Sequence, residues 1–332
     1  MKFGKGIFFL LGTLCFFGIF FAIRQTTYYP TLKIGVNAYS GAEYFSLARK
    51  MNLFNKVGVH VKIVELGSFQ DVQQAFEWQQ IDGMVCPLVD AMVEIQKLNY
   101  NHPKIILIAS YPKSNIACHL LVNSNVKNLQ DLKGKRIGVE TASFGIYVLS
   151  KALRKIGLTL NDVEIIPMDP TAASTFFAHE RIDGVVIYPP FLKTVENNLK
   201  SIYSTQHWPK EMQLNVLLMS EKALKTYKRQ LRDFIKNWDK LINFYQENPD
   251  FCNDVLAHHY SISPELANTL LTSSNPLRLS EQIPLLHSNR YILDIMADIQ
   301  NEILESNHLP LTTKDALKNI FDAAPLQQAI KE

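Results

Sequence analysis

At 332 residues the chain exceeds the size of an ordinary single domain, so two lobes of common size are expected. Hydrophobic residues make up 47% and charged residues 20%, a globular composition that excludes a largely disordered chain. The formal net charge of +3 is small for this length, and no dense Lys/Arg block follows the N-terminus, which excludes nucleic acid as an expected partner.

Residues 1–25 differ in kind from the rest. Lys2 and Lys5 precede an apolar run from Gly6 to Ile23, and Arg24 ends it. A positive start followed by such a run is an export signal with its positive end in the cytoplasm. About 18 apolar residues at about 1.5 Å each just span a hydrocarbon core of roughly 30 Å. The stretch FFGIFFAIRQ offers no pair of small residues to a leader peptidase, so an uncleaved signal anchor is preferred over a cleaved signal peptide. Lipidation at Cys15 is the third reading, weakened by Leu14 where a small residue belongs. All three place the remainder outside the cytoplasm, attached to or released from the cytoplasmic membrane.

From residue 31 the chain reads as one unit written twice, at an offset of about 102 residues. LKIGVNAYSGAEYFSLARKMNLF opens the first copy and KRIGVETASFGIYVLSKALRKIGL the second. Each has a β-prone run ending Ile-Gly-Val, a loop of small and polar residues, then a helical pattern. A second strand follows in each, VHVKIVEL and VEIIPM, then a turn and another helix. Those helices run into one phrase, QQIDGMVCP and ERIDGVVIYP, where Gly83 and Gly184 are expected at a helix exit that needs φ > 0. Repeated β-α-β-α-β units demand mostly parallel sheets covered on both faces.

KIILIASYP closes the first unit and HLLVNSN opens the second. After the second copy come a loop and one strand from Asn215 to Met219. From Glu221 the pattern is helical to the end, with helix starts at Ser263 and Leu311. The expected fold is α/β: two doubly wound lobes joined by a two-stranded hinge, with a C-terminal helical block. Lobe one takes 31–114 plus 216–332, and lobe two takes 115–215. Cys86, Cys118 and Cys252 read as small buried hydrophobes, although their spacing leaves a single disulfide open.

The order of parts, the paired IDG phrases, and the block KALKTYKRQLRDFIKNWDKLINFYQENPDF followed by YSISPE resemble the nitrate/sulfonate/taurine class of periplasmic binding proteins. That class has the type II binding-protein fold and includes binders of thiamin-pyrimidine precursors. The resemblance covers nearly everything after residue 31. It implies a monomeric, extracytoplasmic solute-binding component of an ABC importer, with a small-molecule ligand and a permease in the inner membrane as partners.

In open α/β sheets a ligand sits outside the carboxyl ends of the strands. The strand-to-helix loops of lobe one therefore nominate Asn37, Tyr39, Ser40, Gly41, Tyr44, Gly67, Ser68, Cys86 and Pro87. Lobe two nominates Thr141, Ser143, Phe144 and Tyr188, with Asp169, Thr171 and Pro189 beside them; the resemblance implies the same loops. Helix N-termini and hydroxyls at such loops suit an anion. Against a sulfonate or nitrate, neither first loop carries Arg or Lys, while Glu43, Glu140 and Asp90 lie close. A nitrogen heterocycle is the other ligand left open.

No Gly-x-Ser-x-Gly, His-Glu-x-x-His, phosphate loop or paired-Cys zinc spacing occurs, so neither an enzyme nor a cofactor is expected. His258 and His259 are adjacent on a helical pattern and point to different faces, so no metal site is expected. The fold has enzyme members, and a membrane-tethered sensor is the remaining alternative.

Overall fold

In the computed structural model the described residues are 30–37, 41–56, 59–98, 102–113, 117–141, 143–189, 191–195, 199–288, 290–304 and 317–331. The N-terminal apolar run with Cys15, and the helix start expected at Leu311, lie outside them. Among the described residues no helix is long and apolar enough to cross a membrane.

The first copy of the repeat folds as β1 (Leu32–Val36), α1 (Glu43–Lys50), α2 (Leu53–Lys56), β2 (Val61–Glu65), α3 (Phe69–Glu77), β3 (Gly83–Pro87), α4 (Leu88–Lys97) and β4 (Lys104–Pro112). After β5 (His119–Val122), the second copy gives β6 (Arg136–Val139), α5 (Phe144–Arg154), β7 (Glu164–Pro167), α6 (Ala173–Ala178), β8 (Gly184–Ile187) and β9 (Lys200–Ser204). The chain returns as β10 (Asn215–Met219). It continues through α7 (Glu221–Thr226), α8 (Lys228–Lys236), α9 (Trp238–Glu247), α10 (Pro249–Tyr260) and α11 (Pro264–Ser273). It ends with β11 (Ser274–Pro276), α12 (Leu279–Ser288), α13 (Arg290–Ile299) and α14 (Ala324–Lys331).

Two mixed sheets result, in the orders β11-β4-β10-β3-β1-β2 and β7-β6-β8-β5-β9. In each, the repeat supplies three parallel strands, with β1 between β2 and β3 and β6 between β7 and β8. The sheets are less parallel than the repeat alone predicts. β10 runs antiparallel on β3 and β4, and β5 runs antiparallel on β8 and β9. The extra strands are the segments that enter and leave the repeats; β9 escapes the sequence pattern because it is largely exposed and polar, and β11 because it is only three residues long.

The shared IDG phrase has a mechanical role in both sheets. The Asp82 carboxylate accepts the Lys33 backbone N–H at 2.8 Å, and Asp183 accepts that of Arg136 at 2.9 Å, pinning the first residues of β1 and β6. The Arg136 guanidinium adds a second grip on Asp183 at 3.1 Å. The glycines do not serve a positive φ, contrary to expectation: the left-handed residues at the two helix exits are Gln79 (φ 56°) and Glu180 (φ 52°). Gly83 and Gly184 are needed because an antiparallel strand passes too close for a Cβ. That atom would stand 2.7 Å from the Leu218 carbonyl oxygen at Gly83 and 3.0 Å from that of Leu121 at Gly184.

The largest buried cluster runs through both sheets; on the first it packs the helices around Phe45, Phe234 and Trp238, whose rings lie 5.2–6.1 Å apart. Each such side chain contributes about 1.5–3 kcal/mol by leaving water. The Trp238 indole N–H is satisfied by the Leu277 carbonyl at 2.9 Å, so its burial strands no donor. Cys86, Cys118 and Cys252 are all free thiols, and all are buried.

The segments linking the sheets are joined to each other. Thr205 donates its backbone N–H to the Cys118 carbonyl at 3.0 Å, and Cys118 returns its N–H to the Thr205 hydroxyl at 3.0 Å. That hydroxyl donates to Gln213 at 2.8 Å. A further tie runs from the C-terminal block to α5. Lys151 meets Asp298 at 2.7 Å and Glu302 at 3.3 Å, while Arg154 and Ser150 meet Glu302 at 2.9 and 2.5 Å.

A candidate ligand cleft between two sheets

The carboxyl ends of β1 and β3 in one sheet, and of β6 and β8 in the other, converge on a cavity of about 80 Å³ measured to the centres of water-sized spheres. At roughly 10–15 Å³ per water on that measure, it has room for about half a dozen waters. From the first sheet come Asn37, Phe69, Pro87, Asp90, Pro112 and Asn215; from the second come Glu140, Ser143, Phe144, Gly145 and Tyr188. Cys118 and Gln213 close the side where the chain crosses between sheets. Glu140 also borders an adjoining, more polar recess of about 520 Å³ that includes Ser68, Gln73, Lys97, Thr141 and Asp169.

Of the residues nominated from sequence, Asn37, Pro87, Ser143, Phe144 and Tyr188 line the cavity, and Ser68 and Thr141 line the recess. Tyr39 and Ser40 lie outside the described residues. The other four, Gly41, Tyr44, Gly67 and Cys86, line neither space. Tyr44 is buried edge-on against Tyr245, with ring centroids 5.4 Å apart, on the core side of α1. Cys86 is fully buried, one pleat away from Pro87. Gly41 adopts φ +125°, and a Cβ there would lie 2.1 Å from the Asn215 side chain, so glycine lets Asn215 take its place on the wall. Gly67 precedes α3, and its nearest neighbour is the Asp71 carboxylate.

Asp90 and Glu140 came from their nearness in sequence to the loops. Phe69, Pro112, Cys118, Gly145, Gln213 and Asn215 were missed. The signal for Asn215 was a polar residue opening the apolar strand NVLLM; Phe69 carried a weaker one, standing next to Ser68.

The chemistry of the wall is acidic and apolar. Asp90, only 2% exposed, reaches from α4 to the backbone of Phe144 at the start of α5. Burial, reinforced by the Glu140 charge, holds its carboxyl well above the ordinary range against the lowering effect of that hydrogen bond. Glu140 is pushed up to about 7, chiefly by burial, although the Tyr188 hydroxyl donates to it at 2.8 Å. Ser143 caps α5, accepting from the Gly145 N–H at 3.1 Å and donating to the Glu140 carbonyl. The ring of Phe144 stands edge-on to Trp208, centroids 6.1 Å apart, which fixes its position on the wall. The Cys118 thiol is raised far above its usual value by burial and stays protonated. Among the described residues no group of His, Cys, Asp and Glu is placed to hold a metal, and His259 is engaged with Glu65 at 2.8 Å.

Comparison with known proteins bears on fold and family. A protein of Brucella abortus (strain 2308), named only as a binding protein, is 35% identical over 96 residues, which span 29% of each chain. A Bacillus subtilis (strain 168) protein named for binding aliphatic sulfonates is 25% identical over 287 residues, covering 84% of this chain and 81% of its own. Among solved structures, the alkanesulfonate-binding protein SsuA from Xanthomonas axonopodis pv. citri, bound to MOPS, superposes with a TM-score of 0.70. Its identity is 16%, over 88% of this chain and 99% of its own. The desulfurization enzyme DSZB superposes at 0.63 with 12% identity, over 91% of this chain and 99% of its own. These likenesses establish the fold, that of type II periplasmic binding proteins. The model of the family described as NMT1/THI5 like matches residues 43–251, well over half of the chain, and the protein belongs to that family.

Proposed function

We propose that the protein is the extracytoplasmic solute-binding component of an ABC importer, capturing a small organic molecule in the cleft between its two sheets. The observation that carries the reading is a single cavity walled by strand-to-helix loops of both sheets, Asn37 and Pro87 on one side and Ser143 and Tyr188 on the other. The sulfonate-binding relative and the binding-protein fold support it. In this reading residues 31–114 with 216–332 form one lobe and 115–215 the other. Ligand binds both, favours the closed arrangement by its differential affinity, and a permease reads that state. The apolar run from Gly6 to Ile23 tethers the protein to the cytoplasmic membrane.

The binding role is favoured over catalysis because the sulfur nucleophile on the wall, Cys118, is held protonated by burial. The test is native mass spectrometry of the protein purified without exchange of its ligand, followed by thermal denaturation with the molecule recovered. A bound small molecule whose addition raises the melting temperature is expected. A protein that carries nothing, and that no member of a broad metabolite panel stabilises, refutes the reading. Membrane fractionation checks the tether: the intact chain partitions with membranes and resists extraction by high salt.

A further inference from the structure

We infer that the cavity takes a cation, a protonated amine or amidine on a compact apolar or aromatic body, rather than a sulfonate or other anion. This deepens the proposed solute-binding function and rests on it.

The first support is that the leading main-chain amides of the strand-to-helix loops around the cleft are already bonded to the protein's own carboxylates. Glu43 accepts the Gly41 N–H at 2.6 Å ahead of α1. Asp71 accepts the Ser68 N–H at 3.0 Å in the capping box of α3. Asp169 accepts the Thr171 N–H at 2.8 Å at the turn leading into α6. At α5 the acceptor comes from the other sheet, where Asp90 engages the Phe144 backbone. Of these amides only that of Phe144 belongs to the cavity wall, and an anionic ligand would have to displace Asp90 from it.

The second support is independent of charge count. Two polar atoms on the cavity wall have no partner: the Asn37 side-chain oxygen, and the second Asp90 oxygen, which becomes an acceptor when a bound cation favours loss of the Asp90 proton; these residues are 4% and 2% exposed. Buried acceptors without donors are uncommon and destabilising, and a ligand that brings N–H groups satisfies them. Neither Lys nor Arg is among the described lining residues, so no described wall residue neutralises a bound sulfonate. Lys97, on the neighbouring recess, is already paired with Glu94 at 2.9 Å and Glu77 at 3.3 Å. Phe69, Phe144, Pro87 and Pro112 give the wall an apolar part that suits a ring.

The test uses four probes that share one ring: benzylamine, benzamidine, benzyl alcohol and benzenesulfonate. Their binding to the full chain is measured by ligand-observed NMR and calorimetry. The two cations are expected to bind at least tenfold more tightly than the alcohol and the sulfonate. Asp90→Asn should cost the cations at least tenfold more than it costs the alcohol. Asn37→Leu serves as a second variant, removing the other unpartnered acceptor with the same selective loss. Tighter binding of benzenesulfonate, or of the alcohol, overturns the cation inference and leaves the solute-binding function standing. If no probe binds, and the purified protein carries no small molecule, both fall.

Discussion

Replacing Glu140 with Gln isolates the cost of a buried charge in the cleft. The Glu140 carboxyl rises from 4.5 to about 7 on folding, because burial outweighs the hydrogen bond from Tyr188. The folded protein therefore holds this proton more tightly than the unfolded chain. Its stability is highest below the unfolded value, falls as pH rises between the two values, and levels off above about 7. At about 1.4 kcal/mol for each pH unit, the full loss by pH 8 is about 3 kcal/mol. Glutamine matches the protonated acid in size, still accepts from Tyr188, and carries no charge at any pH. Glu140→Gln should therefore equal the wild type near pH 4 and exceed it by about 3 kcal/mol at pH 8, roughly 5 °C in melting temperature for a chain of this size. Differential scanning calorimetry of ligand-free protein at both pH values is the assay. The same difference at pH 4 and pH 8, or a variant less stable at pH 8, refutes the account of a charge buried against the cleft wall.

Other outcomes follow from residues away from that carboxylate. Gly41→Ala must place a Cβ against Asn215 at φ +125°, so it should lose about 1–3 kcal/mol of stability and weaken ligand binding together, read by calorimetry and titration. Asp183→Ala removes the acceptor for Arg136 at the head of β6; a loss of about 1–3 kcal/mol in chemical denaturation is expected, and an unchanged midpoint would discount the pin. Glu302→Gln removes the ion pair of Arg154 and leaves Lys151 with Asp298 alone, and small-angle scattering should report a more extended ligand-free molecule. Cys86, Cys118 and Cys252 should resist a thiol reagent in the native protein and react on unfolding, with Cys118 slowed further by ligand.

Much of the fold was legible because a duplicated unit repeats its own punctuation. β1, β4 and β10 fall within the runs read from sequence, since buried strands are written as uninterrupted apolar stretches. β11, three residues between helices, writes no pattern that local periodicity detects. The glycines of the IDG phrases were located correctly and explained wrongly. Their constraint comes from strands over 30 residues away in sequence, beyond the reach of local φ reasoning. The cleft shows the same division. Loops at strand ends could be named from topology, so Asn37, Pro87, Ser143, Phe144 and Tyr188 emerged. Whether a side chain there faces cavity or core depends on pleat and helix phase, which placed Cys86 and Tyr44 inward. Asn215 and Gln213 arrive with the returning strand, and only the three-dimensional pairing of β10 with β3 brings them to the wall.

The reciprocal bonds between Cys118 and Thr205 join the two crossings, at their ends beside β5 and β9, as a short ribbon instead of two independent tethers. A ribbon flexes readily across its flat face and resists both twisting and sideways shear. In the hinged reading proposed above, such a join would confine rotation of one lobe about the other to a nearly single angular coordinate, and few orientations would compete with the closed one. Little rotational freedom is left to lose on capture, so more of the contact energy is expressed as affinity. Thr205→Val would relax that confinement and weaken every ligand by a similar factor, without touching any of them.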